Sequence, residues 1–166
     1  VVVVRGKGAG AQRTGGAKAQ QRDEVVVVRA PAAERAKQGM PVFFGVSADS
    51  VGAKGLCMHL TEFPPAGESE PHMHRDHETA VFGVSGAVEI FYGERLEHSV
   101  VVGRGEFAYI PPGVPHKACN LSATEKALFV TARDDAREQE NVVPTPEADA
   151  GSGGREASGR PAPQRR

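Results

Sequence analysis

From residue 41 onward, apolar and polar positions alternate in short runs, and the three-to-four-residue spacing of an amphipathic helix is absent. The runs cover residues 42–46, 55–63, 79–92, 99–102, 106–110 and 126–132. Each is bounded by residues that favour turns: Pro64, Pro65 and Gly67, then Gly93, then Gly103 and Gly105, then Pro111, Pro112 and Gly113, then residues 120–124. Short strands separated by glycine and proline turns every eight to twelve residues or so predict an all-β sandwich or barrel. Closure into a barrel removes exposed strand edges and lets inward positions line a pocket. Upstream, residues 25–29 read as a strand. Residues 31–38 read as one short helix, with Pro31 suited to its first turn and Gly39 to its stop.

Both ends of the chain have a different texture. Residues 1–24 are rich in Gly, Ala, Gln and Arg and show no periodicity after the first four valines. Residues 138–166 are rich in Pro, Gly and Ser, with too little apolar area to offset the entropy of ordering. The expected organisation is a disordered arm over 1–24, one barrel over 25–137 and a disordered tail over 138–166. VVVVRG at 1–6 recurs as VVVVRA at 25–30, too short a repeat to mark a repeat architecture. One reading of that duplication puts the natural start near Glu24.

Charge narrows the partners. The arm carries five basic and two acidic side chains, the barrel region eleven and fourteen, and the tail four and five. A mildly acidic barrel argues against nucleic acid as its ligand, and the basic residues of the arm lack interleaved aromatics. No run approaches membrane-spanning length. Cys57 and Cys119 are the only cysteines and lack metal-site or redox spacing, so a reducing, cytoplasmic setting is expected.

Chemistry concentrates in PHMHRDHE, residues 71–78, which holds three of the six histidines. His72 and His74 are two apart, so on an extended chain both imidazoles project from one face while Met73 points away. Convergent imidazoles are what a transition metal requires. Glu78 or His77 offers a third donor where the next strand begins. His116, following the rigid Pro111 to Pro115 turn, is the candidate from a distant strand. His59 reads as a half-buried strand histidine, His98 as a surface residue, and Cys119 as a packing residue.

These residues resemble the two-part signature of the cupin superfamily of small jelly-roll β-barrels. Gly105, Pro111, Gly113, His116 and Asn120 match the second part at every specified position. The first part, roughly G-x5-H-x-H-x(3,4)-E-x6-G, is met by His72, His74 and Glu78 with two shifts. Gly67 is one residue too close to His72, and seven residues rather than six separate Glu78 from Gly86. Counting back from Gly86, the donor position falls on Thr79. Glu78 is favoured as the ligand if a β-bulge turns it inward, and His77 is the rival.

The resemblance implies one divalent transition metal (Fe, Mn, Ni, Co or Zn) on His72, His74, Glu78 and His116, with Glu78 also able to take a proton. It further implies a small organic molecule as ligand and a homodimer, to which the strand at 25–29 could contribute an edge. A small-molecule oxygenase is the favoured activity. A metal-dependent sugar-phosphate isomerase is the first alternative, with Arg75, Arg104, Lys117 and Lys126 as the nearby cations, and a non-catalytic ligand-binding barrel is the second.

Overall fold

A computed structural model describes residues 2–5, 25–29, 33–137 and 141–149. In chain order the strands are β1 (Val2–Arg5), β2 (Val26–Arg29), β3 (Glu34–Arg35), β4 (Pro41–Val46), β5 (Cys57–Phe63), β6 (His72–His74), β7 (Thr79–Ser85), β8 (Ala87–Tyr92), β9 (His98–Gly103), β10 (Phe107–Ile110), β11 (His116–Asn120), β12 (Ala127–Arg133) and β13 (Val142–Pro144). Two four-residue helices interrupt them, α1 (Ala48–Val51) and α2 (Pro146–Asp149). Strands β10-β7-β12-β5-β4-β3 form one sheet and β13-β6-β11-β8-β9 a second, with β1 and β2 paired apart from both. This is the expected all-β jelly roll.

Alternation decides which side chains face inward. In β5, Cys57, His59, Thr61 and Phe63 are buried while Met58 is exposed, and β12 buries Ala127, Phe129, Thr131 and Arg133 in the same phase. Directly paired residues share a face, so Phe129 lies beside Thr61 and Gly83, and Arg133 beside Cys57 and Thr79. The core forms where the sheets meet. Phe63, Ala127 and Phe129 from the first sheet pack with Val88, Ile90 and Val102 from the second, and Met40 closes the group. Gly86 carries the chain between sheets at φ +73°, where a Cβ would lie 2.6 Å from that of Ala127.

Three expectations change. Residues 31 and 32 lie outside the described residues, and those of 33–38 form no helix. Instead, Glu34 and Arg35 pair with Val42 and Pro41 across a turn in which Gly39 adopts φ +86°. Eight residues are too few to sustain a helix without packing, whereas the open edge of β4 offers backbone partners. The expected C-terminal tail is ordered in part: β13 pairs with β6, and Thr145 N–H donates to the Pro71 carbonyl at 2.9 Å. The rest of that tail, and residues 1 and 6–24 of the arm, lie outside the described residues. Finally, the strand at 25–29 joins neither large sheet and pairs along one edge with β1 (Val2–Arg5), in a two-stranded sheet of its own.

Asn120, at the end of β11, ties three segments together. Its side-chain amide donates to the carbonyls of Phe63, Pro64 and Glu125 at 3.1, 2.9 and 2.8 Å, and its oxygen accepts from Ser122 N–H at 3.0 Å. Asn120→Ala leaves the buried Phe63 carbonyl and three partly buried backbone groups without this partner and is expected to cost about 2–3 kcal/mol. In thermal unfolding this lowers Tm by on the order of 10 °C. A shift within about 2 °C of the parent would mean the network is dispensable.

Candidate metal centre

Strand β6 is three residues long and buries both ends, so His72 and His74 face the barrel interior and Met73 faces the other way. It is held on both edges. Val142 and Pro144 of β13 pair with His74 and His72, while His116 of β11 is the direct partner of His72 on the other side. The proline-rich turn before β11 is pinned to the same strand, because Gly113 N–H donates to the His74 carbonyl at 2.8 Å. Strand pairing thus brings together histidines that are more than forty residues apart.

The three rings are 3–5% exposed. Ring centroids are 4.4 Å apart for His72 and His116, 5.1 Å for His72 and His74, and 5.5 Å for His74 and His116. One nitrogen of each ring lies within 4.8 Å of the others, close enough to hold a single ion. The ring hydrogen bonds define tautomers. His72 Nδ1–H donates to the Glu70 carbonyl at 2.7 Å and His116 Nδ1–H to the Val114 carbonyl at 2.9 Å. That leaves each Nε2 with its lone pair, and such backbone contacts orient imidazole for metal. His74 Nε2 is buried with no hydrogen-bond partner among the described residues.

Burial, as the largest cause, pushes all three histidines down in pKa: His72 to about 3, His116 to about 4, and His74 further still. The positive charge of Arg133 adds to the effect at each ring. Neutral imidazole is the ligating form. The donor set therefore fits a borderline transition metal and does not suit the all-oxygen shell that calcium or magnesium prefers.

A cavity of about 60 Å³ adjoins the histidines. Its polar end includes Thr79 and Arg133 beside the three rings, while Met40, Phe63, Val81, Val88, Ile90 and Phe129 line it with apolar surface. Arg133 and Thr79 are paired across β12 and β7, which puts both side chains on the inward face. No Asp or Glu lines this cavity among the described residues.

Glu78 does not join the histidines. Its side chain is exposed and accepts a 2.6 Å hydrogen bond from the Tyr109 hydroxyl, and its backbone N–H donates to Asp134. A bulge does occur in β7, where Leu128 pairs with Ser85 and Phe129 with Gly83, leaving Val84 as the extra residue. It leaves Thr79, Val81 and Gly83 in the inward phase, so Thr79 rather than Glu78 faces the site. His77 also points elsewhere: its Nε2 accepts from the Asn141 amide at 2.6 Å and lies 3.2 Å from Asp135.

His59 is buried rather than half-buried, edge-on to Phe44, with neither ring nitrogen hydrogen-bonded among the described residues. His98 is on the surface, as expected, near Glu97. Cys119 donates to Glu68, and burial together with that carboxylate pushes its thiol up to about 12, which makes it a poor nucleophile. Two cavity residues escaped the sequence reading. Thr79 was marked only by the count from Gly86, and Arg133 only by the phase of Ala127, Phe129 and Thr131.

Among known proteins, the cupin domain family matches residues 59–132. A germin-like protein (subfamily T member 3) of Arabidopsis thaliana is 28% identical over 93 residues, covering 55% of this chain and 41% of that protein. A recombinant oxalate oxidase in complex with glycolate superposes with a TM-score of 0.53 at 23% identity, over 61% of this chain and 53% of that one. An oxalate decarboxylase variant of Bacillus subtilis gives 0.57 at 21% identity, over 69% and 30%. The chain thus spans about half or less of the length of these proteins, and the two structural likenesses establish the fold alone. Among the described residues, no helix is long and apolar enough to cross a membrane.

The buried histidines make stability depend on pH in a defined direction. His59, held at about 3 by burial and then by Arg133, joins His72, His74 and His116 in binding protons more weakly folded than unfolded. Below the unfolded value of 6.5, the unfolded chain takes up protons that the fold refuses. Stability is therefore fully present above that pH and falls as pH drops, by about 1.4 kcal/mol per unit for each such histidine. Urea unfolding of metal-free protein from pH 8 to pH 4.5 is expected to show a plateau and then this decline, with a shallower slope in His59→Leu. A flat profile would contradict the burial of these rings.

Proposed function

We propose that this chain, which belongs to the cupin superfamily, is a mononuclear metal-dependent oxygenase acting on a small organic molecule inside its barrel. The observation that carries the reading is the convergence of His72, His74 and His116, neutral and buried, from two paired strands. Three imidazoles at one side of an ion leave its remaining positions to water and substrate, an arrangement of catalytic rather than structural sites. Bound iron or manganese would supply redox capacity toward dioxygen, and bound zinc, nickel or cobalt would supply polarisation of a substrate oxygen.

The protein's own residues set the conditions. The Glu70 and Val114 carbonyls hold the His72 and His116 rings in the ligating tautomer. Phe63, Val88, Ile90 and Phe129 line the cavity with apolar surface, which lowers the local dielectric and strengthens electrostatic contacts at its polar end. Arg133 places a positive charge beside the rings, suited to an electron-rich substrate group. The isomerase reading has less support. Arg75 and Arg104 are exposed, Lys126 is exposed and paired with Glu62, Lys117 lies 3.6 Å from Glu68, and Glu78 is outside the cavity.

A cytoplasmic homodimer belongs to the same reading. Unbridged Cys57 and Cys119 are in keeping with a reducing compartment, and exposed Phe107 and Tyr109 offer apolar surface for self-association.

Elemental analysis of the purified protein beside His116→Ala tests the metal. About one transition metal per chain is expected in the parent and a several-fold loss in the variant, with unchanged far-ultraviolet circular dichroism. Equal metal in both would remove His116 from the site. No metal in either, with no rise in Tm on adding metal, would replace the enzyme with a ligand-binding barrel. Light scattering that gives a monomer mass would remove the dimer.

A further inference from the structure

Resting on that metal reading, we propose that the site takes a small hydroxylated molecule, and that Gln38 is the residue that receives its hydroxyl. Gln38 lies in the turn between β3 and β4, where Ala36, Gln38 and Met40 alternate inward and Lys37 is exposed. The turn fixes that phase. Gly39 N–H donates to the Ala36 carbonyl and Ala36 N–H to that of Met40, both at 2.9 Å. An apolar side chain would suit the middle position, as it does at 36 and 40. Gln38 instead carries an amide into the wall of the cavity, where it is 6% exposed and its Oε1 has no hydrogen-bond partner among the described residues. A buried amide oxygen left unpaired is unfavourable, and in a folded protein it calls for a reason.

The same turn is joined to the metal centre. Glu70 N–H donates to the Gln38 carbonyl at 2.9 Å, and the Glu70 carbonyl is the acceptor for His72 Nδ1–H. One residue thus supports both the Gln38 backbone and the His72 ring, and the amide and the histidines share the wall of one cavity.

The other neutral polar side chains of that wall set Gln38 apart. The hydroxyls of Thr61 and Thr131 bond to each other at 3.4 Å, and the Ser69 hydroxyl accepts from Ala118 N–H at 3.0 Å. Thr79 has an unpartnered hydroxyl too, but it stands on β7, toward the opposite edge of the six-stranded sheet from the turn that carries Gln38. A threonine hydroxyl rotates to donate or accept, whereas an amide oxygen only accepts. The missing partner of Gln38 is therefore a donor. Hydrocarbon, a carbonyl and a carboxylate offer none. An ammonium has three N–H groups to satisfy, and Gln38 Oε1 is the one orphaned amide oxygen among the described residues. A hydroxyl donates once and also accepts, so it suits the amide whichever way its oxygen and nitrogen are turned. At ~10–15 Å³ per water-sized group, about 60 Å³ holds on the order of four to six such groups. The molecule is then a short chain with an oxygen for the metal and a hydroxyl for Gln38.

The test uses the full chain loaded with cobalt(II), whose visible absorption reports changes in coordination, and titrates 3-hydroxypropanoate against butyrate. The two acids share their length and their carboxylate, and differ by a terminal hydroxyl in place of a methyl group. The parent is expected to bind 3-hydroxypropanoate at least about fivefold more tightly than butyrate. Gln38→Met, which keeps the length of the side chain and removes the amide, is expected to abolish that preference at unchanged cobalt content, while Thr79→Val retains it. Equal affinity of the parent for the two acids, or no response to either, would overturn the proposal, and that result stands even if Gln38→Met fails to fold. A preference that survives Gln38→Met, or that Thr79→Val abolishes instead, would remove Gln38 as the residue responsible. A parent that takes up no cobalt fails at the metal reading. The two acids are then compared by the Tm of the metal-free chain, where equal shifts overturn the hydroxyl as well.

Discussion

The pairing of His116 with His72 is the contact on which the rest of the site depends. It is one backbone register between two short strands, and it brings two rings to a centroid separation of 4.4 Å. A slip of one residue would turn every side chain of β6 to the opposite face, because side-chain direction alternates with period two. The surroundings guard against that slip. β13 pairs along all three residues of β6, and the Pro111 to Pro115 turn is tied to the His74 carbonyl through Gly113. A three-residue strand is thus held from both edges and from its end.

That arrangement also sets the electrostatics. Placing three imidazoles inside an apolar barrel keeps them neutral, and adding Arg133 to the same cavity drives their protons off further. The fold carries these polar groups in its interior in exchange for a set of lone pairs aimed at one point. Nothing comparable surrounds His77, which is engaged by Asn141 and Asp135, or His98, which is at the surface. Identical side chains within one octapeptide therefore have different chemistry because of where the strands place them.

Much of the fold was legible in the chain, and the exceptions share a cause. Runs with clear alternation, such as residues 55–63 and 126–132, became β5 and β12 with ends shifted by one or two residues. The run at 79–92 became two strands because Gly86 passes the chain to the other sheet. The segment at 31–38 carried helix-favouring residues and proline, yet part of it pairs with the edge of β4. β13 lies in a stretch whose composition promises no order, and its partner is the short strand that carries His72 and His74. In both cases, backbone hydrogen bonds to a distant strand outweighed weak local preference, and local sequence contains no record of such partners.

The same division holds at the site. The sequence alone determined that His72 and His74 share a face, that a glycine and proline turn delivers His116, and that the chain is built of strands, since these follow from spacing and turn chemistry. It also left Glu78, His77 and the position of Thr79 open, because an extra residue could be absorbed before or after the donor. Only the tertiary structure decided this. The bulge sits at Val84, beyond the donor, so Thr79 keeps the inward phase and Glu78 is left outside with Tyr109. Arg133 entered the site in the same way: its register against Thr79 puts its charge in the cavity, and register is a property of two strands together, not of either one alone.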